Sequence, residues 1–174
     1  LKPLVMRGID REIGRARADA PARIFLKMNS LTDRDVIDKI SEACEAGVKV
    51  RLVVRGICCI KADVPGKTDG LVVRQIVGRF LEHSRIYSFG REGEERVYIA
   101  SADMMTRNLE KRVEIAVPVL DKNVRKRILS ILTTIENDNV KGRRLSPDGR
   151  YKKIQSLSKM VNSQEECLRN ANTL

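Results

Sequence analysis

Apolar positions along the chain alternate between two spacings, and the switches between them outline the elements. Over residues 4–18 (LVMRGIDREIGRARA), Leu4, Val5, Ile9, Ile13 and Ala16 recur close to helical spacing. Pro21 interrupts that pattern, and RIFLKMN (23–29) reads as a buried strand. The stretch Ser30-Leu31-Thr32-Asp33 opens the next helix, with Ser30 or Thr32 as its cap and Val36, Ile37, Ile40 and Ala43 as its apolar stripe. Gly47 closes that helix, and VKVRLVVRG (48–56) is a β-branched run suited to a central strand. Residues 61–70 (KADVPGKTDG) read as a loop, LVVRQIV (71–77) as a strand, GRFLEHS (78–84) as a short helical turn and RIYSF (85–89) as another strand. A charged turn leads to the strand RVYIAS (96–101), and a polar segment, ADMMTRNLEKR, leads to the strand VEIAVPV (113–119). Asp121 begins a helix whose apolar face is Val124, Ile128, Ile131, Leu132 and Ile135. From about residue 140 the pattern predicts a loop and short hairpin turning at SPDG, then a fraying helix in SQEECLRNANTL.

Strands and helices alternate in the first half and strands cluster in the second, so the expected class is α/β, a mixed β-sheet flanked by helices. A chain of 174 residues suits one domain, and with 3% aromatics and no Trp its core must be aliphatic. No apolar run approaches the roughly 20 residues that span a bilayer, and the charged N-terminal stretch is not a signal peptide. The chain does not begin with Met, so it is expected to be a segment of a longer polypeptide. Cys44, Cys58, Cys59 and Cys167 offer no CxxC pair for zinc and read as reduced, buried thiols of a cytosolic protein.

Charge narrows the chemistry. Lys and Arg outnumber Asp and Glu by 34 to 23, a net charge of +11 that draws polyanions, although a solvated basic surface explains the charge equally well. There is no GxxxxGK[ST] loop and no GxGxxG, so a phosphate chain would be held by side chains. No helix-turn-helix or aromatic platform points to a specific nucleic acid. Polar clusters follow the strands at Lys27 and Asn29, at Arg55, around Arg79, His83 and Arg85, and at Ser101, Asp103, Arg107, Asn108 and Glu114. In α/β sheets, ligand sites gather at the carboxyl ends of strands. Each cluster also has a plain structural reading as a cap, a turn or a surface ion pair. His83, the single histidine, has no partner for a zinc site; flanking arginines favour a neutral imidazole and would hold phosphoryl oxygens.

Taken together, KMNSLTD, VRGICC, VPG, IVGRFLEHSRIY, YIASADMMTRNLEKRVE and SPDGRY resemble the C-terminal catalytic domain of bacterial polyphosphate kinase, the ATP-dependent type with a phosphohistidine intermediate. The resemblance implies a phospholipase D-like fold over residues 1–140, with 141–174 as an extension of the same domain. It also implies reversible transfer of the terminal phosphate of ATP to linear polyphosphate, releasing ADP. Positions matching Arg55 and His83 contact ATP in that family, and Arg85 is expected to join them. Lys27, Asn29, Arg79, Ser101, Asp103, Arg107, Asn108 and Glu114 are the supporting candidates. The phosphorylated histidine and the Mg2+ site belong to a preceding domain of similar fold, which leaves no metal ligand in this chain and leaves His83 as acid/base or phosphate ligand. The superfamily's HxK element stands here as His83-Ser84-Arg85, with Arg for Lys, a departure that argues against an autonomous phosphodiesterase. Expected partners are the preceding domains of the same polypeptide, polyphosphate, ATP and ADP in a homo-oligomer. The expected setting is the cytoplasm, peripheral at the inner membrane face. The competing readings are a phospholipase D-type phosphodiesterase half-site and a non-catalytic polyanion-binding module.

Overall fold

A computed structural model describes residues 1–91, 93–155 and 159–171. Its centre is an eight-stranded mixed sheet in the order β6-β5-β4-β1-β2-β3-β7-β8. The strands are β1 (Arg23–Met28), β2 (Lys49–Val54), β3 (Val72–Ile76), β4 (Arg85–Phe89), β5 (Arg96–Ala100), β6 (Ala116–Pro118), β7 (Gly142–Leu145) and β8 (Tyr151–Lys153). The helices are α1 (Lys2–Arg17), α2 (Arg34–Glu45), α3 (Thr106–Glu110), α4 (Lys122–Glu136) and α5 (Ser163–Ala171). Strands β1, β2 and β3 run parallel, and β4 lies antiparallel to β1 on its other side.

Alternation along the strands divides the core between the two faces of the sheet. Ile24, Leu26 and Met28 of β1 pack with Val5, Ile9 and Ile13 of α1 and Val36 and Ile40 of α2. Phe25, pointing the other way, packs with Ile128, Leu132 and Ile135 of α4. Each fully buried aliphatic side chain contributes on the order of 1.5–3 kcal/mol, so the spacing of these positions in α1, α2 and α4 is what docks the helices.

Several expectations need correcting. The α2 cap is Asp33, whose carboxylate accepts from Val36 N at 3.2 Å; Thr32 and Ser30 use their backbones to bind Met104. Residues 78–84 are not helical, because the N–H and C=O of Phe80 bond to the side chain of Gln164 instead of to a helical turn. The polar segment before β6 contains the short helix α3, and of the stretch 113–119 the strand covers only Ala116–Pro118, with Val119 N still bonding the Val97 carbonyl oxygen of β5 at 2.8 Å. Val124 of α4 is exposed, and Cys59 is exposed while Cys44 is buried. Burial pushes the Cys44 thiol up to about 12, leaving it inert near neutral pH. The SPDG hairpin forms as β7 and β8 on the outer side of β3. The predicted C-terminal helix is α5, and its last predicted residues, 172–174, lie outside the described residues.

Candidate active site

Topology decides where the chemistry collects. Strand β3 ends at the carboxyl edge of the parallel strands, and β4, being antiparallel, starts at that same edge. The connection between them must therefore pass along this edge, over the ends of β2 and β1, and it carries His83. β1 has β2 on one side and β4 on the other, so this is also the point where the strand order reverses, the usual crevice for ligands in an open α/β sheet. Arg85 opens β4 opposite Ala100, the last residue of β5, which brings Ser101 and Asp103 to the same place.

The side chains meet there in one continuous network. Asp103 is buried and accepts from the backbone N–H of Asn29 at 2.7 Å and from its amide Nδ2 at 3.1 Å. Arg85 grips the same carboxylate with a fork, Nε to Oδ1 at 3.2 Å and Nη2 to Oδ2 at 2.9 Å. Its third nitrogen, Nη1, lies 3.1 Å from His83 Nδ1 and 3.1 Å from the His83 carbonyl oxygen. On the other side, Arg55 Nε donates to Asn29 Oδ1 at 3.2 Å. Arg55 and His83 are thus joined through Asn29, Asp103 and Arg85. Burial pushes the Asp103 carboxyl up, but the Arg85 fork and the Asn29 donors outweigh it and hold it below the ordinary carboxylate range.

The close approach of β1 and β2 at this edge depends on Gly56, because a Cβ there would lie 2.9 Å from the Asn29 carbonyl oxygen. Beside the main network, Glu114 binds Ser101 Oγ and accepts from Asn108 Nδ2 at 2.8 Å. The Ser101 hydroxyl, then the Asn108 amide, hold the Glu114 carboxyl below its ordinary value. Lys27 is buried beneath the crossover, its Nζ 3.2 Å from Glu82 Oε2 and 3.3 Å from the Ser84 carbonyl oxygen. Arg107 is exposed on α3. Arg79 is exposed, its guanidinium over the Phe80 ring at 5.3 Å from the centroid.

The geometry sorts these residues chemically. Arginine has only donors, so a hydrogen bond between Arg85 Nη1 and His83 Nδ1 assigns the acceptor role to Nδ1 and, in the neutral ring, the proton to Nε2. All three Arg85 nitrogens are engaged inside the protein, whereas the terminal nitrogens of Arg55 carry no hydrogen bond among the described residues. Asp103 and Glu114 already face Arg85, Asn29, Ser101 and Asn108, and among the described residues no group of His, Cys or carboxylate side chains converges on a metal position. These residues do not fit a Mg2+ site, which needs several converging oxygens. Gln164, Glu82 and Gln75 also belong to this edge through their hydrogen bonds, and no motif in the sequence marks them. Gln75 Nε2 bonds the Arg55 carbonyl oxygen at 2.9 Å, a contact with no local signal in sequence.

Comparison with solved structures places the class first. A phospholipase D family member, Nuc from Salmonella typhimurium, superposes with a TM-score of 0.59 at 18% identity, covering 83% of this chain and 90% of that one, so the fold is phospholipase D-like. Polyphosphate kinase from Porphyromonas gingivalis superposes with a TM-score of 0.94 at 38% identity, over 99% of this chain and 27% of that one. A polyphosphate kinase of Staphylococcus saprophyticus is 47% identical over 171 residues, 98% of this chain and 24% of the relative. The family described as polyphosphate kinase C-terminal domain 2 matches residues 1–164. The chain belongs to that family, and it spans about a quarter of the length of the relatives it matches.

Proposed function

We propose that this chain supplies one half of a phosphotransfer site in a polyphosphate kinase, in which the terminal phosphate of ATP extends linear polyphosphate and the reverse reaction regenerates ATP. The observation that carries this reading is the continuous network from Arg55 through Asn29, Asp103 and Arg85 to His83 along one sheet edge. Phosphoryl transfer asks a protein mainly for positioning and for donors aimed at developing negative charge. Arg55 offers its free guanidinium nitrogens to phosphoryl oxygens, and His83 offers Nε2–H. Arg85 orients the imidazole instead of binding the ligand. With Nδ1 accepting from Arg85, the neutral imidazole presents Nε2–H as a hydrogen-bond donor to a phosphoryl oxygen, and in this reading the phosphorylated nucleophile comes from the preceding part of the polypeptide. Mg2+, needed for the nucleotide's charge, is likewise held outside this chain.

Residues 141–174 form an extension of the same domain in this reading, since β7 and β8 continue the sheet. No helix among the described residues is long and apolar enough to cross a membrane. Independently of that, the proposed setting is a homo-oligomer in the cytoplasm, peripheral at the inner membrane face. Arg85, standing where the phosphodiesterase element has Lys, is consumed by Asp103 and His83, which counts against the phosphodiesterase alternative.

The test is His83→Ala in the complete kinase. Synthesis from ATP should fall by at least about 100-fold, the scale of one lost preorganised hydrogen-bond donor, with thermal unfolding little changed because the ring is exposed. His83→Gln, which returns an amide N–H near the Nε2 position, should recover a measurable part. Near-normal synthesis by His83→Ala would make this a structural histidine.

A further inference from the structure

We infer that Gln164, at the start of the C-terminal helix, is a positioning residue for His83, acting through the crossover segment 77–84. This rests on the reading of His83 as a site residue. The segment has no regular secondary structure, and Phe80 and Leu81 are 45% and 74% exposed, so packing does not fix it. Beneath it lies an apolar cavity of about 420 Å³ lined by Phe80, Ile131, Ile135, Cys167 and Leu168 among others. What holds it is a set of hydrogen bonds from one buried side chain. Gln164 Oε1 accepts from Phe80 N at 2.9 Å, and Nε2 donates to Phe80 O at 2.9 Å and to Glu82 Oε1 at 3.0 Å. Gly78 admits the amide, since a Cβ there would lie 2.4 Å from Gln164 Oε1.

The support continues in both directions. Glu82 passes it to Lys27, whose ammonium also binds the Ser84 carbonyl, so both neighbours of His83 are gripped. Behind Gln164, the buried carboxylate of Asp138 accepts from Ser163 N at 2.8 Å and Ser163 Oγ at 2.7 Å, and from Lys141 N and Gly142 N at the start of β7. The C-terminal helix is thereby tied to the sheet and presents Gln164 at a fixed height. Arg85 sets the imidazole's orientation, and Gln164 sets where along the edge the segment bearing it lies. Displacements of about 1 Å in such a segment cost on the order of 100-fold in rate.

The discriminating variant is Gln164→Glu. It preserves volume and the acceptor for Phe80 N, but it removes both donors and sets a carboxylate against Glu82. Gln164→Met, uncharged and of similar volume, serves as the second variant. His83 is the only histidine of the 174-residue chain, so its imidazole NMR signals report its position and tautomer without assignment ambiguity. In either variant those signals should shift. In the complete kinase kcat should fall at least about tenfold with KM for ATP within about threefold. Adding Glu82→Gln to Gln164→Glu restores a donor–acceptor pair and should recover part of the loss. Unchanged His83 signals, or unchanged kcat where His83→Ala is inactive, would overturn the assignment. So would loss of folding in both variants, which would make Gln164 a core residue. If His83→Ala stays active, the proposed function has failed, and the His83 signals alone then decide whether Gln164 positions the segment.

Discussion

The two edges of the sheet are both lined with arginine, and they differ in what those arginines face. At the amino ends of the parallel strands, Arg23 and Arg51 converge on Glu136 at 3.0 and 3.2 Å, and Arg15 and Arg91 converge on Glu94. An open cavity of about 770 Å³ lies there, lined by Arg23, Ser88, Gly90, Lys122, Arg125 and Glu136 among others. At the carboxyl ends, one buried carboxylate, Asp103, orients Arg85 and Asn29, and through Asn29 it steadies Arg55 without neutralising it. A count of cations, or the size of the cavity, favours the amino edge. Pairing favours the carboxyl edge: a site for phosphate needs cations that are held in place and still uncommitted.

The comparison breaks most decisively at its two carboxylates. Asp103→Ala should cost about 2–4 kcal/mol of stability, because it leaves the Arg85 guanidinium, 13% exposed, without its partner. Glu136→Ala should cost no more than about 1 kcal/mol, since Arg23 and Arg51 there are 40% and 30% exposed and can be solvated. Acid titration gives the sign independently. The Asp103 carboxyl lies below its ordinary value near 3.8, so its contribution is fully present above that value and is lost as pH falls through the lower folded one. Denaturant unfolding from pH 6 down to pH 2 should show Asp103→Asn less sensitive to acid than the unmodified chain. Equal acid sensitivity would mean that the Arg85 fork adds nothing to folding.

Next in size is the contrast between Arg55 and Arg23 in the complete kinase. Losing a charge-assisted phosphate contact is worth about 1.5–3 kcal/mol, so Arg55→Ala should reduce kcat/KM for ATP roughly ten- to a hundredfold. Arg55→Lys should recover only part, because a point charge replaces the fork that reaches both Asn29 and the ligand. Arg23→Ala, at the committed edge, should change kcat/KM by less than about twofold. Comparable losses at the two edges would show that charge alone, and not its freedom from pairing, defines the site.

This difference also marks what could be read from sequence. The strands 85–89 and 96–101, the helix after Asp121 and the SPDG hairpin were legible because periodicity and turn residues are local signals. Lys27, Asn29, Arg55, Ser101 and Asp103 were legible as residues of one sheet edge because Lys27 is the penultimate residue of β1 and the others follow the ends of β1, β2 and β5. The roles within the cluster were not. Arg85 reads in sequence like any phosphate-binding arginine, and only the contact to Asp103, 18 positions away, shows that its guanidinium is engaged within the protein. The segment 78–84 carries helix-compatible residues, but its backbone is claimed by Gln164, 84 positions away from Phe80. Long-range hydrogen bonds to single polar side chains have no periodicity, so no local pattern announces them.

The smallest effect tests the comparison from the other side. If commitment to Glu136 is what keeps the amino edge from acting as an anion site, Glu136→Gln should release Arg23 and Arg51 and create weak polyphosphate binding there. The released arginines gain counterions that a polyanion can displace, so binding should rise a few-fold at low salt and fall back as salt is raised. The slope of log affinity against log salt should steepen by about 1–2, one for each phosphate newly contacted. Activity of the complete kinase should stay unchanged, since Glu136 pairs with Arg23 and Arg51 at the opposite sheet edge from Arg55 and His83. Titrating long-chain polyphosphate into the 174-residue chain and its Glu136→Gln variant at two salt concentrations reads this directly. An unaltered slope would mean that Arg23 and Arg51 already reach phosphate from within their ion pairs, and pairing would then no longer separate the two edges.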